Sequence, residues 1–211
     1  HEGERAQSEA VTGAPYVRTW VHGQHLLADG VKMAKSARND YTIRDLAQEV
    51  QRQVSLHGSD GAKLLEGLRA PLSRILASDL SNVGVKREGN HIDESRYLYY
   101  DGEMSITFDH LPKDKDIPPH DHGVWEAMAI YSGRLRHTVY DRKDDGTKQG
   151  YAELEVIDDR ILECNDMAIV APPSEIHGFT ALTEDTWSVT VVGGRYKADR
   201  AYYKPETNSY I

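Results

Sequence analysis

The chain has 211 residues and a formal charge of -9, so it is long enough to bury a core without staples and too acidic to favour a phosphate-backbone partner. Its one cysteine, Cys164, excludes an internal disulfide framework and suits a reducing compartment, which makes a cytoplasmic location the expectation. No apolar run approaches the ~18 residues of a membrane span, and no signal-peptide pattern is visible.

Residues 1–14 are polar and aperiodic and read as a loose terminus. Tyr16 to Trp20 suits a short extended segment. His22 and His25 follow without other ligand chemistry nearby and read as ordinary histidines. Thr42 is an N-cap candidate, with Asp45 three residues on, and Ile43, Leu46, Ala47 and Val50 repeat at helical spacing. A second helix spans about Asp60 to Ser78, with a stripe of Leu64, Leu65, Leu68, Leu72, Ile75 and Leu76. Pro71 lies inside it and should kink or split it.

From about Arg96 the pattern changes to short runs rich in Val, Ile, Thr and Tyr, separated by turn residues. Candidate strands are Arg96–Tyr100, Met104–His110, Glu126–Ser132, Arg134–Asp141, Tyr151–Ile157, Ile161–Cys164, Met167–Ala171, Ile176–Ala181 and Thr186–Gly193. Asp145-Gly146 marks a hairpin. Many short strands with regular turns predict a mainly β barrel or jelly roll. The expected organisation is an N-terminal segment with helices packed on the barrel over 1–95 and the barrel itself over 96–211, together one structural domain.

The stretch Pro118 to Gly133 holds the chemistry. His120 and His122 lie one residue apart, and Glu126 follows after three more. Read as a strand, with Trp125, Met128, Ile130 and Tyr131 as its apolar positions, it would put both histidines on one face. A bulge at Gly123 would let Glu126 join them. Imidazoles with one carboxylate suit a divalent first-row metal. A second run, APPSEIHGF, places His177 five residues after Pro172.

These two runs resemble the motifs of the cupin superfamily. His120, His122, Glu126 and Gly133 match the first motif in type and spacing, without its leading glycine. Pro172, Ser174 and His177 match the second, with serine where glycine is usual and without the asparagine after the histidine. The resemblance implies a cupin double-stranded β-helix with helices packed outside.

Within that superfamily, PPHDHGVWEAMAIYSG is most similar to the cysteine dioxygenase type, which includes bacterial 3-mercaptopropionate enzymes. That similarity implies Fe(II) held by His120, His122 and His177, an enzyme adding O2 to a small thiol or amino acid-like acid, and Arg96 as the grip on the substrate carboxylate. Ni, Mn, Co or Zn are the alternative metals. The expected partners are a small-molecule substrate and O2, with neither nucleic acid nor membrane, and a homodimer left open.

Three departures stand beside this resemblance. The family's Ser-x-His-x-Tyr triad reads Ser188, Thr190 and Val192. Its thioether-forming cysteine is missing, because Cys164 lies elsewhere. Glu126 stands where three-histidine enzymes lack a ligand. A 3-His-1-Glu oxygenase or isomerase acting on a non-thiol substrate therefore remains an alternative, as does a non-catalytic metal-containing cupin. Asp121 reads as a structural partner on the opposite face, and Cys164 as a buried small hydrophobe.

Overall fold

A computed structural model describes residues 41–88, 92 and 94–211, together with the backbone of two short paired strands, β1 (Leu27–Ala28) and β2 (Val31–Lys32). Residues 1–14, Tyr16 to Trp20, and His22 and His25, each assigned a character from sequence, lie outside the described residues. The chain divides into two compact units, 1–39 and 40–211. The second unit carries two long helices and a set of antiparallel sheets. No helix among the described residues is long and apolar enough to cross a membrane.

Helix α1 (Ile43–His57) opens on a full capping box: Asp45 N donates to Thr42 Oγ1 at 3.2 Å, and Thr42 N donates to Asp45 Oδ2 at 2.8 Å. Helix α2 (Gly61–Leu76) is capped by Asp60 and runs unbroken through Pro71. The expected split does not occur. Proline removes one intrahelical bond, but Leu68, Pro71, Leu72 and Ile75 are all buried. Packing therefore holds the helix on both sides of the gap.

The strands after the helices are β3 (Val85–Lys86), β4 (Glu94–Tyr100), β5 (Ser105–Leu111), β6 (Asp116–His120), β7 (Glu126–Ser132), β8 (Arg134–Arg142), β9 (Leu154–Glu163), β10 (Met167–Val170), β11 (Ile176–Ala181), β12 (Thr186–Val192), β13 (Tyr203–Lys204) and β14 (Ser209–Tyr210). They form a six-stranded sheet in the order β10-β7-β12-β5-β4-β3 and a four-stranded sheet in the order β6-β11-β8-β9. Every pairing in these two sheets is antiparallel. This is the double-stranded β-helix expected from the sequence, with both helices outside it.

Two sequence boundaries change. Tyr151–Ile157 and Ile161–Cys164 merge into the single strand β9. Asp158 to Arg160 looks like turn chemistry, but it pairs with Val139 to His137 on β8, and Arg136 grips Asp159 through two bonds at 2.5 and 2.8 Å. Cys164 is exposed, not buried, because it lies in the turn just past the end of β9.

The six-stranded sheet is covered on both faces, and the two faces differ. Ala127, Ala129, Ile106, Phe108, Val189 and Val191 join one apolar cluster with the helix residues Leu64, Leu68, Leu72 and Ile75. The alternate positions turn inward, as period-two alternation requires. They include Thr107, Asp109, Glu126, Ser188 and Thr190, all buried. A barrel interior built for stability alone would be filled with apolar side chains, because buried polar groups are costly unless paired. The inner face of this sheet therefore differs in kind from the apolar face under the helices.

Candidate metal centre and cavity

His120 and His177 meet through strand register. They lie directly opposite each other where β6 pairs with β11, and residues so paired carry their Cβ atoms about 5 Å apart. Pro118 and Pro119 fall within β6 itself, which is the edge strand of its sheet, the place where a strand tolerates proline.

His122 arrives differently. The single strand expected across the His-x-His pair is not formed: β6 ends at His120, residues 121–125 make a turn, and β7 begins at Glu126. Gly123 sits at φ +76, a backbone state that favours glycine. The turn is held by Trp125, whose carbonyl accepts from Gly193 N at 3.0 Å. It is also held by Asp121, which accepts from Lys197 Nζ (2.6 Å), Ala201 N (3.0 Å) and the Tyr203 hydroxyl (2.8 Å). Asp121 is thus the structural partner expected of it, and it binds the C-terminal segment.

The three histidines each bring a ring nitrogen within 4.8 Å of the others. His122 Nε2 faces His177 Nε2 at 2.8 Å. His120 Nδ1 contacts the Pro118 carbonyl at 2.8 Å, which fixes that nitrogen as the protonated one and leaves Nε2 as the lone-pair donor. Burial lowers all three: His120 to about 4, His122 to about 3 and His177 well below the usual imidazole value. They are neutral donors at physiological pH.

Glu126 lies beside the cluster, with Oε2 3.5 Å from His122 Nδ1 and Oε1 3.7 Å from His177 Nε2. Burial raises its carboxyl, against the hydrogen bond it accepts from the Tyr196 hydroxyl at 2.7 Å. Burial and then the neighbouring Glu126 push the Tyr196 phenol well above its ordinary value.

His120, His122, Glu126 and Tyr196 line a cavity of about 870 Å³. Its walls include Met128, Phe179 and Ile117 as apolar surface, and Arg87, Lys115 and Arg200 as cations.

Arg96 is not among the residues lining the cavity. Its guanidinium is taken by Glu94 and by the Ser81 carbonyl. Arg200 does line the cavity. It stacks on Tyr196 and Tyr202, with its guanidinium carbon 4.7 and 5.6 Å from their ring centres, and donates to the Tyr202 hydroxyl at 3.1 Å. Its Nε is buried with no hydrogen-bond partner.

Sequence reasoning missed Arg200, Tyr196 and His137. The first two follow Gly193-Gly194, past the last barrel strand, where only folding brings them back to the site. His137 sits at an inward position of β8. Its Nε2 meets His177 Nδ1 at 2.9 Å, and its own Nδ1 has no partner. The alternation of Leu135, His137 and Val139 on β8 was the available signal: a histidine at a core position between two aliphatics.

Comparison with known proteins gives two unconnected likenesses. The family described as tRNA synthetases class I (C) catalytic domain matches residues 1–57. Cysteine--tRNA ligase of Symbiobacterium thermophilum is 52% identical over 54 residues, covering 26% of this chain and 12% of its own length. The enzyme of Methanosarcina acetivorans is 48% identical over 54 residues, covering 26% and 11%. The chain thus spans about a ninth of these curated relatives. That matched stretch ends before Arg87, the first residue to line the cavity.

Among solved structures, KdgF from Halomonas sp. aligns at 14% identity, covering 54% of this chain and 90% of its own, with a TM-score of 0.39. An RmlC-like cupin from Shewanella frigidimarina aligns at 16%, covering 55% and 88%, with a TM-score of 0.39. Hydroquinone 1,2-dioxygenase PnpCD aligns at 8%, covering 54% and 69%, with a TM-score of 0.37. The fold assignment rests on strand order and register.

Proposed function

We propose that this protein is a mononuclear non-haem Fe(II) dioxygenase acting on a small organic acid, with thiol-bearing acids as the first substrates to test. The observation that carries this reading is a cluster of three buried, neutral imidazoles, two of which, His120 and His122, line a cavity that Arg200, with an unpaired guanidinium nitrogen, also lines.

The donor set fits a metal. Nitrogen donors with a nearby carboxylate suit iron, and Ni, Mn, Co or Zn would also be accepted. The facing Nε2 atoms of His122 and His177 offer lone pairs that one cation at this point would use. Fe(II) bound there would supply adjacent coordination positions for O2 and substrate sulfur, and the redox chemistry that adds both oxygen atoms to the thiol to give a sulfinate.

The chain's own residues set the rest. Arg200 binds the substrate carboxylate through its guanidinium edge. Tyr196 keeps its proton at neutral pH and donates it to Glu126, which holds that carboxylate beside His122, whose ring centre lies 4.8 Å from that of Tyr196. Phe179 and Met128 exclude water from the reacting group.

The test is oxygen uptake by iron-loaded protein offered cysteine, 3-mercaptopropionate and other thiol acids, with sulfinate followed by mass spectrometry. No uptake with any thiol counts against this reading. The second reading, a 3-His-1-Glu oxygenase of a non-thiol acid, is favoured by the closeness of Glu126 to two of the histidines. A redox-silent zinc site would favour a binding module.

A further inference from the structure

Strand register sorts the cavity wall by chemistry. His177 on β11 lies opposite His120 on β6, and the next paired level of the same two strands sets Phe179 opposite Ile117. Donors face donors there, and apolar side chains face apolar side chains. Two residues along a strand advance roughly 7 Å on one face. The ring distances agree: Phe179 lies 5.7 Å from His177 and 6.4 Å from His120, centre to centre. Strand β7 repeats the step from donor to hydrocarbon, with Met128 two residues after Glu126.

Phe179, Ile117, Met128 and Leu111 all line the cavity. All four also belong to one apolar cluster with the fully buried Ile130 and Leu135. Part of that cluster is sealed inside the barrel, and these four members border open space. Apolar surface facing water is a cost that a hydrocarbon laid on it removes. The polar inward residues Thr107, Ser188 and Thr190 sit on the paired strands β5 and β12, so the cavity has a polar side and an apolar side.

The group suited to an acid stands at the histidine end. The Arg200 guanidinium carbon lies 4.7 Å from the ring centre of Tyr196 and 5.6 Å from that of Tyr202. Those rings lie in turn 4.8 Å from His122 and 5.8 Å from His120. Arg200 Nε is buried without a hydrogen-bond partner. A cavity of about 870 Å³ is large enough for a drug-sized ligand. Cysteine or 3-mercaptopropionate would leave most of the apolar side bare.

We propose that the substrate is an amphipathic acid: its carboxylate and reacting group lie at Arg200 and the histidines, and its hydrocarbon body, alkyl or aryl, lies on Phe179, Ile117, Met128 and Leu111. The inference rests on the reading of this cavity as the substrate site. It concerns binding, so it can fail while the oxygenase reading stands, and the reverse.

Calorimetric titration with straight-chain alkanoates from propanoate to octanoate tests it, with hexan-1-ol as the control that lacks a carboxylate. Affinity should rise about threefold to fourfold per added methylene, with a heat-capacity change that grows more negative along the series. Hexan-1-ol should bind at least tenfold more weakly than hexanoate. Ile117→Asp, at a half-exposed position on an edge strand, should flatten the rise while propanoate binds nearly as before. Met128→Gln should flatten it in part. Arg200→Gln should weaken every acid by one common factor and keep the rise. Affinity that is flat along the series, no binding of any alkanoate, or a rise that survives both Ile117→Asp and Met128→Gln would each overturn the proposal. Hexan-1-ol binding as tightly as hexanoate would overturn the placing of the carboxylate. A steep rise in a protein that takes up no oxygen with any thiol acid would uphold this inference and end the thiol dioxygenase reading.

Discussion

At the histidines, one contact separates ligand from support. His137 touches His177 on the nitrogen that faces away from the cluster, and so sets which His177 nitrogen is free to bind a metal. Replacing such an orienting partner costs on the order of 10- to 100-fold in metal affinity. His137→Phe should therefore weaken iron binding by that factor while far-UV circular dichroism stays the same. His137→Gln, whose amide can still meet Nδ1, should recover part of the loss. Unchanged affinity in the Phe variant would show the contact to be mere packing.

Glu126 gives the second prediction. Glu126→Ala removes the nearest negative charge from a neutral donor set and should lower iron content after dialysis, whereas His122→Ala should strip the metal. If the Glu126 variant keeps full iron and full turnover, the carboxylate is a bystander and the three-histidine reading gains.

The two helices and most barrel strands could be read from periodicity, because a stripe such as Leu64, Leu68, Leu72 and Ile75 reports the packing it serves. The clustered histidines were legible for the same kind of reason: they stand at fixed offsets from prolines and glycines that shape the strand ends. The turn between β6 and β7 was not legible. Apolar Trp125 extends the β7 pattern by one residue, so the stretch reads as one strand with a bulge, although the chain leaves the sheet after His120. Arg96 lies off the cavity lining: a local match of arginine, tyrosine and leucine says nothing about which way the guanidinium turns, and Glu94 two residues away captures it.

The same turn yields a prediction. The indole of Trp125 lies against Gly193 so closely that a Cβ there would overlap it. Gly193→Ala should displace Trp125, move the turn carrying His122, and lower metal affinity more than it lowers the melting temperature. By contrast Leu68→Ala, fully buried in the helix–sheet cluster, should cost about 2–5 kcal/mol of stability and leave metal affinity alone. Urea unfolding and iron titration of both variants would check the pair.

For the chain from residue 40 onward, the cavity is closed by its own C-terminal segment. Tyr196, Arg200, Tyr202, Tyr203 and Ile211 all line it. The segment is pinned at two places: Asp121 holds Lys197, Ala201 and Tyr203, and Tyr202 bridges to His120. Asp121 lies between His120 and His122, so its hydrogen bonds join the segment to the chain that carries the histidine cluster.

Asp121→Ala removes three hydrogen bonds, two of them from buried partners, and should destabilise by about 3 kcal/mol or more. Its sharper effect should be local: amide exchange rising over residues 196–211 ahead of the barrel strands, with carboxylate binding lost along with Arg200. Metal bound only by the folded state adds stability that grows with its excess over the dissociation constant, about 4 kcal/mol at a thousandfold excess. Adding Fe(II) to wild-type protein under anaerobic conditions should therefore raise the melting temperature and slow exchange in residues 196–211 together. If iron raises the melting temperature but leaves exchange in that segment untouched, the segment and the metal site are independent, and Asp121 links them in space only.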